Sequence, residues 1–336
     1  MSFWRGKKVF ITGHTGFRGS WLALTLQKEG AEVFGYGLPP ATKPHVFEIE
    51  NVGQGMTSTF LDVRDGDSLK FALESSNAEV VFHLAGGGGL KESWERASDT
   101  YSTQVMGTVH LLEALRETAT VRAVVMLSSD KVYRSQAGQN FFKETDPLAG
   151  SAPVATAKAC AELIFESYLQ GIFSAEKYNK HKIALATARM GAVIGGGDFS
   201  GDSLLFQLAQ ACHAGLDLPL RNPQSLRPWM HVSDAVSALM TLAEALIVKG
   251  PKANGSWNFS GGENNFASVA AVKEIFEKAY GKNSAADVVA EKSSIAVSVH
   301  SGVDISKAKE QLGWEPRVSV AEAVAQTAMW YKNFYR

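Results

Sequence analysis

Two hydrophobic periods alternate along this chain. Residues 9–12 are a short β-branched and aromatic run bounded by Gly6 and Gly13, which predicts a buried strand. Residues 20–28 place apolar side chains at helical spacing, and Gly30 ends the run. Residues 32–36 predict a second strand, and 60–63, 80–84 and 123–128 predict three more, with helical patterns between them. Strand followed by helix, repeated, predicts βαβ units and a parallel sheet in an α/β fold. Residues 183–189 and 257–259 continue the pattern more weakly. Pro147, Gly150 and Pro153 mark a long loop before a helix expected near 155–168. From about Gly195 the chain reads as richer in irregular segments. No repeat and no clear linker interrupts it, so a division at 1–190 and 191–336 is expected to be interwoven rather than hinged.

A length of 336 residues predicts about two domains or one large α/β unit. Hydrophobic residues make up 45% and charged residues 20%, ordinary globular usage that excludes disorder, collagen and coiled coil. Thirty-three basic against 34 acidic residues leave a net charge of −1. Nothing in that balance is a footprint for nucleic acid or an anionic membrane, so any bound anion needs a local site. Two cysteines, Cys160 and Cys212, with no CxxC, fit a reducing compartment. The apolar stretch 235–248 contains Ser237 and Glu244 and is too short to span a bilayer. MSFWRGKKVFITG runs straight into the first strand, so no signal peptide is expected and the reading is soluble and cytoplasmic.

The first strand leads into Gly13-His14-Thr15-Gly16-Phe17-Arg18-Gly19 and then a helix. A tight turn, a close approach of backbone to a pyrophosphate, and helix-on-sheet packing each ask for a residue without a Cβ. The helix N-terminus then offers free N–H groups to phosphates. The spacing is GxxGxxG rather than GxGxxG, but it follows a strand and opens a helix, the context a dinucleotide site requires. Strand two ends in Tyr36-Gly37-Leu38-Pro39-Pro40, without the acid that usually holds the ribose hydroxyls of NAD. NAD and NADP both stay open. Asp62 is a candidate for the adenine side, or a plain surface turn residue.

Together GHTGFRGSWL, VMGTVHLLEAL, SSDKVY, KACAEL, VIGGGD, RNPQSLRPWMHV and LGWEPR resemble the extended short-chain dehydrogenases/reductases, and within them the CDP-glucose 4,6-dehydratase subfamily. The similarity runs from Phe3 to Trp330. It implies a Rossmann-type doubly wound parallel sheet with a smaller C-terminal substrate-binding domain, a bound nicotinamide cofactor, usually NAD, and a homodimer built on the long helices flanking the site. It implies a lyase that oxidises a nucleotide-linked sugar at C4, eliminates water across C5 and C6, and returns the hydride to C6. The cofactor supplies that chemistry, and the protein supplies positioning and proton transfer.

Carried over by position, Ser129 binds the C4 oxygen, Asp130 protonates the leaving hydroxyl, and Lys131 is its partner. Lys158 holds the nicotinamide ribose. Gly13, Thr15, Gly16, Phe17, Arg18 and Gly19, then Asp62, Val63, Leu84, Ala85 and Gly86, line the cofactor. Arg221, Arg227 and His231 face the sugar nucleotide, with Arg227 on the diphosphate, which a guanidinium grips bidentately. His231 reads as a structural hydrogen-bonding residue rather than a catalyst, and His83 as a satisfied core histidine. An Asp and a Lys at a strand end above a parallel sheet also suit acid–base work on chemical grounds alone.

The departures cluster. One turn before Lys158 the family has a tyrosine; here the position is Val154, which has no proton to give or take. Tyr133 and Lys131 are the nearest substitutes in sequence. Gly86-Gly87-Gly88-Gly89-Leu90-Lys91 replaces an Ala-Gln-Pro-Leu-Val-Arg stretch, Gln104 and Ala192 replace asparagines, and Ser203 replaces an arginine. No HExxH, GxSxG, P-loop or metal-spaced Cys/His cluster is present, so no metal is expected. Asp198 and Asp202 read as a solvated pair. The alternatives to a dehydratase are a non-catalytic cofactor- or sugar-nucleotide-binding homologue, and an epimerase or reductase on the same scaffold.

Overall fold

The computed structural model describes residues 2–86, 88–134, 141–282 and 302–336; Gly87 of the four-glycine loop lies outside them. Strands β1 (Lys8–Thr12), β2 (Glu32–Gly37), β3 (Met56–Phe60), β4 (Val80–His83), β5 (Ala123–Ser129), β6 (Ala184–Met190) and β7 (Gly255–Phe259) make one sheet. Its order is β7-β6-β5-β4-β1-β2-β3 and every pairing is parallel. The strand order reverses between β1 and β4, which opens a crevice at their C-terminal ends.

The longer helices are α1 (Phe17–Lys28), α2 (Gly66–Ser76), α3 (Gly107–Glu117), α4 (Pro153–Gly171), α5 (Leu204–Ala214), α6 (Val232–Lys249), α7 (Val269–Tyr280) and α8 (Val320–Phe334). Val9 and Ile11 of β1 pack with Leu22 and Leu26 of α1 and Leu239 and Leu242 of α6. Phe10, between them, packs on the other face with Leu73 of α2, Leu111 of α3 and Phe165 of α4. Successive side chains of a strand point to opposite faces, so a sheet covered on both sides needs apolar residues at every position. A third core joins α5, α7 and α8 around Phe199, Trp229 and Tyr331. Strand β7 comes from beyond residue 191 yet completes the first sheet, and α6 from the same region covers one face of it. No helix among the described residues is long and apolar enough to cross a membrane.

Two expectations are corrected. The third strand is Met56–Phe60, not 60–63. Its Thr-Ser-Thr centre looks polar, but β3 is the sheet's edge and is only half-buried, and β-branched threonines suit that setting. The C-terminal third is also more regular than expected, since α5 to α8 all lie there. Apolar residues three and four apart, such as Val324 and Ala328, hold α8 to the core, and Ser319 with Glu322 caps its start in both directions.

Candidate active site

The turn after β1 is built around missing Cβ atoms. Gly13 sits at φ +74°, and a Cβ there would lie 2.7 Å from the backbone nitrogen of Ala85. A Cβ on Gly16 would meet only Gly13 O, at 3.4 Å. Gly16 is the N-cap of α1, no side chain caps it, and no acid lies in the first turn. The helix end is therefore free to receive an anion, and the residues fit the pyrophosphate of a dinucleotide. Thr15 Oγ1 donates to Leu38 O at 2.9 Å and ties the turn to the end of β2. Leu84 and Ala85 continue β4 and are tied to Thr12 through their amides. Gly86, at φ +131°, packs against Gln104. Val63 is buried, and its carbonyl bonds the His110 ring at 3.0 Å. Asp62 is already engaged: its carboxylate accepts from Arg64 at 2.6 Å and 2.9 Å, which holds it below the usual carboxylate range.

Ser129 ends β5, and its hydroxyl donates to Asp130 Oδ1 at 3.1 Å while accepting from the Lys131 amide at 3.2 Å. Burial pushes the Asp130 carboxyl above its ordinary value, against the opposing pull of Lys131, Ser129, Arg227 and Arg18. That list defines the charges around the site. Arg18 reaches across from α1 and also faces Asp198; burial lowers its guanidinium, and the two carboxylates oppose that. Arg227 stands on the short strand Leu226–Pro228, which pairs antiparallel with Phe266–Ser268. Arg221 is exposed on the preceding segment, and no hydrogen bond or ion pair among the described residues holds it. His231 caps α6, its ring accepting from the Ser233 amide, in line with a structural part.

Lys158 lies on α4, and its ammonium donates to Leu127 O at 3.3 Å. Burial, reinforced by Arg18 and opposed by Glu162, pushes it down to about 8. It lines a small cavity with His83, Gln104, Ser128 and Met126. His83 is bonded to Thr12 at 2.8 Å and pushed by burial down to about 3, so it is the neutral core histidine expected. The Gln104 amide and the Ser128 hydroxyl are buried there without partners.

Tyr133 is fixed elsewhere, which removes it as a substitute for the missing phenol. It donates to Asn258 Oδ1 at 2.6 Å, accepts from Arg189 at 2.9 Å, and burial pushes it up to about 12. Arg189 is in turn paired with buried Glu162 at 2.9 Å. Sequence reading missed this network and the orphaned Gln104 and Ser128. It also missed the place of Asp202, whose carboxylate lies against Gly89 across the cleft mouth, where a Cβ would stand 2.1 Å from Oδ2. Asp198 is not merely solvated, since it faces Arg18 and accepts from Ser200 at 2.8 Å. Such pairings join segments far apart in sequence and leave no local signal.

The family model described as GDP-mannose 4,6 dehydratase matches residues 10–327. CDP-glucose 4,6-dehydratase of Salmonella typhimurium is 36% identical over 335 residues, which cover 100% of this chain and 93% of that one. UDP-glucose 4-epimerase of Thermotoga maritima, solved with UDP-glucose, matches at TM-score 0.83 and 20% identity, covering 98% of this chain and 99% of that one. dTDP-glucose 4,6-dehydratase of Bacillus anthracis, solved with NAD, matches at TM-score 0.79 and 22% identity, covering 98% and 97%. The two structural likenesses establish the Rossmann-type extended fold.

Proposed function

The chain belongs to the GDP-mannose 4,6 dehydratase family, and from that membership we propose that it is a nicotinamide-dependent lyase acting on a nucleotide-activated sugar, CDP-linked in the first instance. NAD, with NADP as the alternative, would be held by Gly13, Thr15, Gly16, Phe17, Arg18 and Gly19 at the pyrophosphate. Asp62 and Val63 would serve the adenine side, and Leu84, Ala85, Gly86 and Lys158 the nicotinamide side. When bound, the cofactor accepts hydride and returns it. Residues 1–190 would chiefly carry the cofactor and 191–336 the sugar nucleotide.

In this reading Ser129 orients the C4 oxygen, with Lys131 beside it. Asp130 delivers a proton to the departing C6 hydroxyl, for which an elevated carboxyl is suited. Arg227, and Arg221 from the adjoining loop, neutralise the diphosphate, while His231 holds the helix end between them and the sheet. The observation that carries the reading is the Ser129–Asp130 pair at the C-terminal end of β5, within the field of Arg18 and Arg227. A second copy of the chain and a cytoplasmic setting complete it. Trp94, Met106 and Leu163 are 63%, 44% and 61% exposed on or near α4, a surface that a homodimer would cover.

Incubation with CDP-glucose, read as absorbance of the 4-keto product in alkali, tests the activity. Val154 favours a second reading, a binding homologue without turnover. That reading prevails if CDP-, UDP- and dTDP-glucose and GDP-mannose all yield no keto product while the cofactor is shown to be bound.

A further inference from the structure

We propose that Lys158 is itself the base of the first proton transfer, taking the C4 hydroxyl proton that a phenol at position 154 would otherwise take. This role rests on the dehydratase reading above. Val154 and Lys158 are one turn apart on α4 and so share a face. Valine at that position offers neither an acid nor a base on the face it shares with the lysine. Of the alternatives, Tyr133 is locked between Asn258 and Arg189, and Lys131 is exposed with its charge set against Asp130.

The lysine is suited to the task. Its hydrogen bond is to a neutral carbonyl, Leu127 O, and no ion pair among the described residues holds it. The nearby carboxylate, Glu162, is committed to Arg189, Thr187 and Ser256. The groups facing it are neutral His83 from β4, Arg18 from α1 and Glu162 from its own helix. Burial and Arg18 bring its ammonium down to about 8, so a usable fraction is the free amine near neutral pH.

The step balances. The O–H bond at C4 breaks and its proton joins the Nζ lone pair. The freed electron pair forms the C4=O bond as the C4–H pair leaves as hydride to the nicotinamide dinucleotide. The orphaned Gln104 amide and Ser128 hydroxyl in the same cavity give water a polar lining. The Lys158 proton then passes to solvent through that cavity, replacing the one Asp130 donates to the leaving hydroxyl.

Two measurements on the purified protein test this. Competitive acetylation across pH 6–11, with mass spectrometry of the Lys158 peptide, reads the amine directly. Lys158 is expected to reach half-reactivity near pH 8, against ~10.4 for a free lysine peptide labelled in the same reaction. Equal midpoints overturn the proposal. Appearance of reduced nicotinamide on adding CDP-glucose reads the step itself. Lys158→Arg keeps the charge but has no free amine, and is expected to slow the step by ~10²-fold or more when the rates are compared per bound cofactor. Lys158→Ala should be restored by added methylamine, and more so as pH rises, which a structural role would not produce. Keto product formed at equal rates by wild type and Lys158→Arg rejects the base and leaves the dehydratase reading standing. No product from wild type, with Lys158 still titrating near pH 8, removes that reading and the base role with it.

Discussion

A Cβ built on Gly19 would stand 2.1 Å from the carbonyl oxygen of Gly13, so helix α1 can meet the turn after β1 only without a side chain there. Gly16 differs, since its Cβ would meet nothing closer than 3.4 Å and its φ is −74°. The two glycines therefore separate fold from ligand. Gly19→Ala should destabilise the chain by about 1–3 kcal/mol in urea unfolding, as forced overpacking does. Gly16→Val should lose about 1 kcal/mol at most, the cost of a poorer N-cap, yet lose NAD binding by calorimetry, because the added methyls enter the phosphate path. Undiminished NAD affinity in Gly16→Val would move the cofactor away from this turn.

Arg227 contributes to the field on Asp130 from the far wall of the cleft. A charge-assisted contact to a diphosphate is worth roughly 1.5–3 kcal/mol. Arg227→Ala should therefore weaken CDP-glucose binding by about one to two decades and leave NAD binding unchanged. Arg221, exposed and unheld, should matter less. If calorimetry ranks the two alanine variants the other way round, the diphosphate lies nearer the loop.

Leu163 is 61% exposed on α4, near Trp94 at 63%. Apolar side chains of that size at one surface favour burial against a partner. Leu163→Asp should therefore break the proposed homodimer, read as the mass of one chain by light scattering at micromolar concentration where wild type reads two, since the charge would have to be desolvated. Unchanged mass would place the contact elsewhere.

Local features were the legible ones. β1, the glycine turn, and α4 with Lys158 each announce themselves within ten or so residues, through period, glycine spacing and proline at the helix start. β3 was displaced because threonine and serine look like loop residues unless the strand is known to be an edge. The environment of Asp130 was not legible, because Arg18, Arg227 and Asp130 come from three separate elements. The loss at position 154 was visible in sequence; that Tyr133 cannot compensate required seeing its partners.

His14 is fully buried against Phe47 and Phe60, and burial, opposed by the Tyr36 backbone, pushes it down to about 4. His83 is pushed down to about 3. A free imidazole titrates near 6.5, so between these values the unfolded chain binds more protons than the folded one. Their contribution is complete above pH 6.5 and is lost as pH falls. From pH 6.5 to 5, above the carboxylate range, each histidine should cost about 2 kcal/mol. His14→Leu should show a shallower drop in urea stability than wild type over that window, with the remainder carried by His83 and His231. Identical slopes would mean that His14 is protonated in the fold.

Val154 sits where a phenol would complete the proton relay, one turn before Lys158. Free tyrosine titrates near ~10, and a base at neutral pH needs that value lowered. In Val154→Tyr a nearby lysine charge favours the phenolate, and Ser129 and Asp130 stand ready at the strand end. The variant should therefore raise CDP-glucose dehydration, by as much as ~10²-fold, since a positioned acid–base group contributes ~10²–10⁴-fold. The gain is held to the lower end because Ala192 and the loop of Gly86, Gly88 and Gly89 offer the sugar few polar contacts. The limb of the pH–rate profile should shift from that of the lysine amine toward that of the new phenol. Tyrosinate absorbance near 295 nm gives an independent reading, with a titration midpoint below ~10 that rises when Lys158→Met is added. Wild-type turnover already at the level of Val154→Tyr would mean that the valine disables nothing. A variant that binds both NAD and CDP-glucose yet gains no turnover would point instead to a different reaction or to a binding role.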